Sequence, residues 1–103
     1  MTKVNIESGV CGFCTSVQAE PGAKYTAKLT VESTCPHVQK IAENFGEVNA
    51  MKELFKKGQS QIMELCNANL PHITCPVPIG ILKALEVSTG MALPKEAKVS
   101  FNE

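Results

Sequence analysis

The chain has 103 residues, 44% hydrophobic and 19% charged, and its 10 Lys+Arg are balanced by 10 Asp+Glu for a net charge of zero. This is the composition of one globular domain, 1–103, whose single core buries only about 60–65% of the unfolded surface, so a bound metal would add usefully to stability. Zero net charge removes the counterion-release argument for nucleic acid. Every cation is Lys and every anion Glu, which excludes bidentate Arg recognition of phosphate and an Asp-assisted triad, and with them kinase-like and serine-protease-like readings.

Met1 to Glu7 carries no apolar stretch of signal-peptide length, and no segment approaches the roughly 18–20 apolar residues of a membrane span. The expectation is a cytoplasmic chain with no membrane partner. Five cysteines are an odd number, and without an export signal they argue against a closed disulfide framework. In a reducing compartment, metal binding or thiol chemistry is the leading explanation.

The first third, 1–33, reads as strands. Val4 and Ile6 alternate with Lys3, Asn5 and Glu7; Phe13, Val17 and Ala19 alternate with Ser16, Gln18 and Glu20; Glu20-Pro21-Gly22-Ala23 is a turn. The clearest alternation follows, with Tyr25, Ala27, Leu29 and Val31 on one face. Short connections predict a three-stranded antiparallel meander with one face awaiting cover.

From Cys35 the period becomes helical, and residues 35–90 read as about four helices. Val38, Ile41, Ala42 and Phe45 form the stripe of a first helix, opened by Pro36 and stopped near Gly46. Val48, Met51, Leu54 and Phe55 suggest a second, ended by Gly58. A third runs from about Gln59 to Asn67 with Ile62, Leu65 and Cys66 inward. After a loop at 67–74, a last helix runs from about Pro76 to Gly90, a residue suited to the left-handed position beyond a helix. The tail, 91–103, offers Val99 and Phe101 as a short edge strand. Strands first and helices afterwards predict an α+β domain with helices on one sheet face.

The tripeptides Thr34-Cys35-Pro36 and Thr74-Cys75-Pro76 share one arrangement. Proline suits a first helical turn, so both cysteines are expected at or just before helix N-termini, where a thiolate is favoured; the plainer alternative is a small, chemically idle buried residue. Cys11-Gly12-Phe13-Cys14 is either a redox pair or half a metal site. Its second Cys runs into strand-like alternation rather than a helix, which weakens the redox reading, and Cys11 at a loop tip is the better ligand candidate. Cys66 lies on an apolar helical stripe and reads as core packing. His72, three residues before Cys75, is either a fourth ligand or a solvated loop residue; His37 is a weaker candidate, and Glu43 and Glu86 read as solvated charges.

Taken together, Cys11-Gly12 between strands, Cys35 after the third strand and Cys75 before Pro76-Val77-Pro78-Ile79-Gly80 resemble the iron–sulfur cluster scaffold proteins of the IscU and NifU N-terminal type. The likeness spans about Ile6 to Thr89 and rests on order and spacing. Leu70-Pro71-His72-Ile73-Thr74 stands where those scaffolds carry a chaperone-recognised Leu-Pro-Pro-Val-Lys segment. Four departures are visible: Phe13 replaces an acidic residue, Thr74 stands where His is usual, the chaperone segment lacks its second Pro and its Lys, and the N-terminal arm is very short.

The resemblance implies a non-enzymatic scaffold or carrier, with Cys11, Cys35 and Cys75 holding zinc or an iron–sulfur cluster and His72 or Cys14 as a further ligand. A cysteine desulfurase, a cluster acceptor and a chaperone meeting Leu70, Pro71 and Ile73 are the implied partners. Two alternatives stand beside it: a thiol–disulfide oxidoreductase using Cys11 and Cys14, and a non-catalytic interaction module.

Overall fold

The computed structural model describes residues 1–55 and 58–102. Strand β1 (Thr2–Glu7) pairs antiparallel with β2 (Cys14–Pro21), β2 with β3 (Thr26–Ser33), and β3 with a short β4 (Glu47–Asn49), giving the sheet order β1-β2-β3-β4. The helices are α1 (Pro36–Ile41), α2 (Ala50–Leu54), α3 (Gln61–Asn69) and α4 (Val77–Ser88). The fold is therefore α+β, with four strands where three were expected.

Inward residues alternate as the pattern required: Ile6 on β1, Thr15, Val17 and Ala19 on β2, and Ala27, Leu29 and Val31 on β3 are all buried. Thr15 is the one polar member, and its hydroxyl is satisfied by Ser33 Oγ at 2.7 Å. The helices cover this face and leave the other open. Helix α4 contributes Val77, Ile81, Ala84 and Leu85 to the core. Its opening run, Val-Pro-Ile-Gly-Ile, is poor helix sequence, with β-branched residues, Pro and Gly. Burial of each large aliphatic is worth about 1.5–3 kcal/mol, which outweighs those propensity losses, so α4 is helical because the sheet holds it.

Three element assignments are corrected. The second helix does not begin at Val48, because Glu47–Asn49 is a strand and Asn49 caps α2, its side chain accepting from the Met51 N–H at 2.8 Å. A cap residue has extended backbone, which lets Asn49 end β4 and start α2, with Glu47 in register opposite Lys28. The part of that predicted helix at 56–57 lies outside the described residues. The first helix is shorter than its stripe: α1 ends at Ile41 and a 3-10 turn, Ala42–Asn44, carries the chain to buried Phe45. Finally, residues 91–102 contain no strand; Val99 and Phe101 are exposed, and the edge beside β3 is filled by β4 instead.

Tyr25, expected on the inward face of the third strand, sits in the β2–β3 turn with φ 55° and is half exposed. Its carbonyl accepts the Ala50 N–H at 2.7 Å, tying the turn to the start of α2.

Candidate functional site

One end of the sheet gathers most of the thiols. The β1–β2 connection, residues 8–13, closes with Ser8 N–H donating to the Phe13 carbonyl at 3.0 Å, and a 3-10 turn, Gly9–Cys11, forms its tip. Gly9 and Gly12 have φ of 74° and 73°, so both positions need glycine, and Cys11 projects between them, exposed. Cys14 opens β2. Its N–H donates to Thr34 Oγ1 and its carbonyl accepts the Thr34 N–H, both at 3.0 Å, which fixes the start of β2 beside the end of β3.

Cys35 follows directly as the extended N-cap of α1, with its N–H donating to Ser33 Oγ at 3.0 Å. Its side chain is half-buried and packs on the core. Helix α1 has only 6 residues, so its dipole is a small influence on this thiol. Gly80, in the first turn of α4, packs on Ile6 at the same end of the sheet, and Cys75 precedes that helix start, half-buried against the core. The N-cap of α4 is Pro76, so Cys75 lies just before the helix, one position outside the cap, whereas Cys35 is itself a cap.

The thiols divide between two sides. Inward positions of β2 are Thr15, Val17 and Ala19, so Cys14 faces the open side, over a shallow polar depression lined by Asn5, Glu7, Ser16 and Glu32. Cys35, Cys66 and Cys75 belong to the covered side. Cys66 is 1% exposed and near enough to Cys75 to feel its charge: burial pushes the Cys66 thiol up from its ordinary 9.0 to about 11, and Cys75 acts in the same direction. Core packing at Cys66 is as expected; its electrostatic link to Cys75 is not visible from sequence spacing.

His72 is exposed in the loop after α3, and its carbonyl accepts the Cys75 N–H at 3.3 Å. His37 is exposed on α1. Glu43 is exposed, and Glu86 pairs with Lys83 at 3.5 Å on the surface of α4. Leu70 is half-buried at the C-cap of α3, whereas Pro71 is exposed and Ile73 fully so.

All five cysteines are free. Among the described residues, no three His, Cys or Glu side chains are grouped closely enough to hold a metal ion. The donor set has the soft chemistry that zinc or iron–sulfur clusters prefer, but it does not form a ready-made cage.

One buried ionisable group went unnoticed in the sequence. Glu53 of α2 is 6% exposed and accepts from Ser60 Oγ and the Ile62 N–H, both at 2.9 Å, and from the Gln61 N–H at 3.3 Å. Its carboxylate sits on the N-terminus of α3, where unpaired N–H groups and the helix dipole favour negative charge. A shallow cleft beside it is lined by Leu54, Met63, Asn67 and Leu82. Among the described residues no buried side-chain N or O atom lacks a partner, and the Glu53 carboxylate is satisfied by Ser60, Gln61 and Ile62, so Glu53 is a structural cap.

A family model matches residues 2–101, nearly the whole chain. The chain belongs to the DUF6951 family. That family is described as one of unknown function, and no curated protein and no solved structure matches the chain. The reactive chemistry of this DUF6951 domain lies in its free thiols. No described helix is long and apolar enough to cross a membrane.

Proposed function

We propose that this domain is a non-enzymatic thiolate binder of a soft cargo, zinc or an iron–sulfur cluster, taken up at the end of the sheet where Cys11, Cys35 and Cys75 are carried. The observation that supports it is the common address of these residues: the glycine-flanked tip before β2, the α1 cap after β3, and the segment entering α4. Three separated stretches of chain supply these thiols, all of them free, and the contact of Gly80 with Ile6 sets the start of α4 near the end of β1 that leads to Cys11.

Because no ready-made group of ligands exists among the described residues, uptake requires the 8–13 and 70–76 segments to draw together. Binding would then be coupled to local ordering. His72 travels with Cys75 on one of these segments, whereas Cys14 faces the open side of the sheet, which favours His72 as the additional ligand. The scaffold resemblance adds a role in cluster carriage, with Ile73 and Pro71 available on the surface for a partner.

Native mass spectrometry of protein made with ample iron and purified without oxygen tests this reading. A mass increment of zinc or a cluster, lost in Cys35→Ala and Cys75→Ala but kept in Cys66→Ala, is the expected result. Retention of the increment in both of the first two variants refutes the site.

A second reading uses Cys11 and Cys14 as a dithiol. Both are exposed in one short connection. An apo mass two protons lighter than the reduced chain, restored by a small dithiol, would select it.

A further inference from the structure

Strand β1 is an edge of the sheet, and its two charges, Lys3 and Glu7, are of opposite sign. It is regular over Thr2–Glu7, with every residue in register against β2 and without bulge or proline. Natural edges are commonly blunted by such devices, because an exposed ladder of N–H and C=O groups is a template for another strand.

The direction of that ladder follows from neighbouring bonds. Ser8 is hydrogen-bonded to Phe13, and Cys14 directs its N–H and C=O to Thr34, away from Glu7. In an antiparallel ladder bonded and non-bonded pairs alternate, so Ile6, Val4 and Thr2 bond to β2 while Glu7, Asn5 and Lys3 turn their backbone groups outward.

The same residues read as their own complement. Placed antiparallel against a second β1 about a two-fold axis at Asn5, Asn5 meets Asn5, Lys3 meets Glu7, and Val4 meets Ile6. Each outward-bonding residue then faces another outward-bonding residue. On the open face the charges pair with opposite sign; on the covered face apolar meets apolar, and Val4 is still only half-buried in the single chain. Sliding the register by two residues in either direction replaces both ion pairs with charge against Asn5, and sliding by four sets Lys3 on Lys3 or Glu7 on Glu7. Only one register satisfies backbone, charge and packing together.

We propose that β1 is a homodimerisation edge, joining two copies of this chain into one continuous antiparallel sheet with isologous symmetry. The two-fold axis at Asn5 sends the two Cys11 tips to opposite ends of the joined sheet, so the dimer is independent of thiol binding.

Sedimentation velocity at increasing concentration, with circular dichroism to verify folding, decides the matter. The expected result is a dimer for the unaltered chain and a folded monomer for Asn5→Pro, which removes an outward N–H and leaves the β1–β2 ladder intact. Lys3→Glu should raise the dimer dissociation constant about tenfold or more, by setting like charges opposite in both symmetric pairs. Adding Glu7→Lys should restore it. A monomer at all concentrations overturns the proposal, as does a dimer indifferent to both Asn5→Pro and Lys3→Glu.

Discussion

Gly80 of α4 rests directly on Ile6 of β1: a Cβ built at position 80 would fall inside the Cγ1 and Cδ1 atoms of the isoleucine. The helix comes this close because residue 80 has no side chain, and the contact fixes where α4, and Cys75 before it, enter the domain. Gly80→Ala gains about 1 kcal/mol of helix propensity, but it must displace a buried β-branched side chain at a cost of about 1–3 kcal/mol. Net destabilisation is expected in urea unfolding. Ile6→Ala should cost less in the Gly80→Ala background than alone, and strict additivity of the two would show that the contact is not formed.

The Glu53 carboxylate gathers donors from the first turn of α3. Glu53→Ala leaves buried N–H groups without a partner and should lower stability by about 2–4 kcal/mol. Glu53→Gln retains one acceptor oxygen and should lose less. Urea midpoints with an unchanged m-value would verify both; a loss within about 0.5 kcal/mol for Glu53→Ala, the range of ordinary surface changes, would show that water replaces the cap.

Tyr25 holds a left-handed backbone conformation with an exposed side chain. For a bulky residue this costs about 1 kcal/mol, which glycine or asparagine avoids. Tyr25→Asn should therefore raise the melting temperature by a few degrees. A fall would mean that the tyrosine ring contributes more than its backbone costs.

Stability should depend on pH through Cys66. Its folded thiol is raised from 9.0 to about 11 by burial and by Cys75, so the folded state holds a proton that the unfolded chain releases. The contribution is fully present below pH 9 and is lost as pH rises from about 9 to 11, amounting to up to about 3 kcal/mol. Cys66→Ala should flatten the alkaline limb of a stability–pH curve. An unchanged slope would place the effect in other groups.

What the sequence made legible follows from the strength of its periods. The alternation at 26–31 stands in the structure as a strand because it buries a continuous face, and the helix expected from about Pro76 to Gly90 stands as α4, although its buried face runs through Val77, Ile81, Ala84 and Leu85 and leaves Ile79 exposed. Glu47–Asn49 was misread because three residues are too few to separate a period of 2 from one of 3.6, and Val48 suits either. Tyr25 was misread because its alternation with Ala27 is genuine while the turn geometry overrides it. Glu53 carries no local signal at all, since its partners lie at 60–62 and the contact exists only after α2 and α3 pack. The cysteine positions at the tip, the α1 cap and the approach to α4 were legible from Gly and Pro neighbours, and strand alternation placed Cys14 on the polar face; the nearness of Cys66 to Cys75 was not legible.

The central claim is that Cys11, Cys35 and Cys75 act together on a soft metal. Anaerobic titration of the reduced protein with cobalt(II), a spectroscopic stand-in for zinc, reads it directly through thiolate-to-cobalt charge-transfer absorption. The expected result is saturation at one equivalent, weakening of the band in Cys11→Ala, Cys35→Ala and Cys75→Ala, and no change in Cys66→Ala. Absence of the band, or a band that survives the loss of both Cys35 and Cys75, would contradict it.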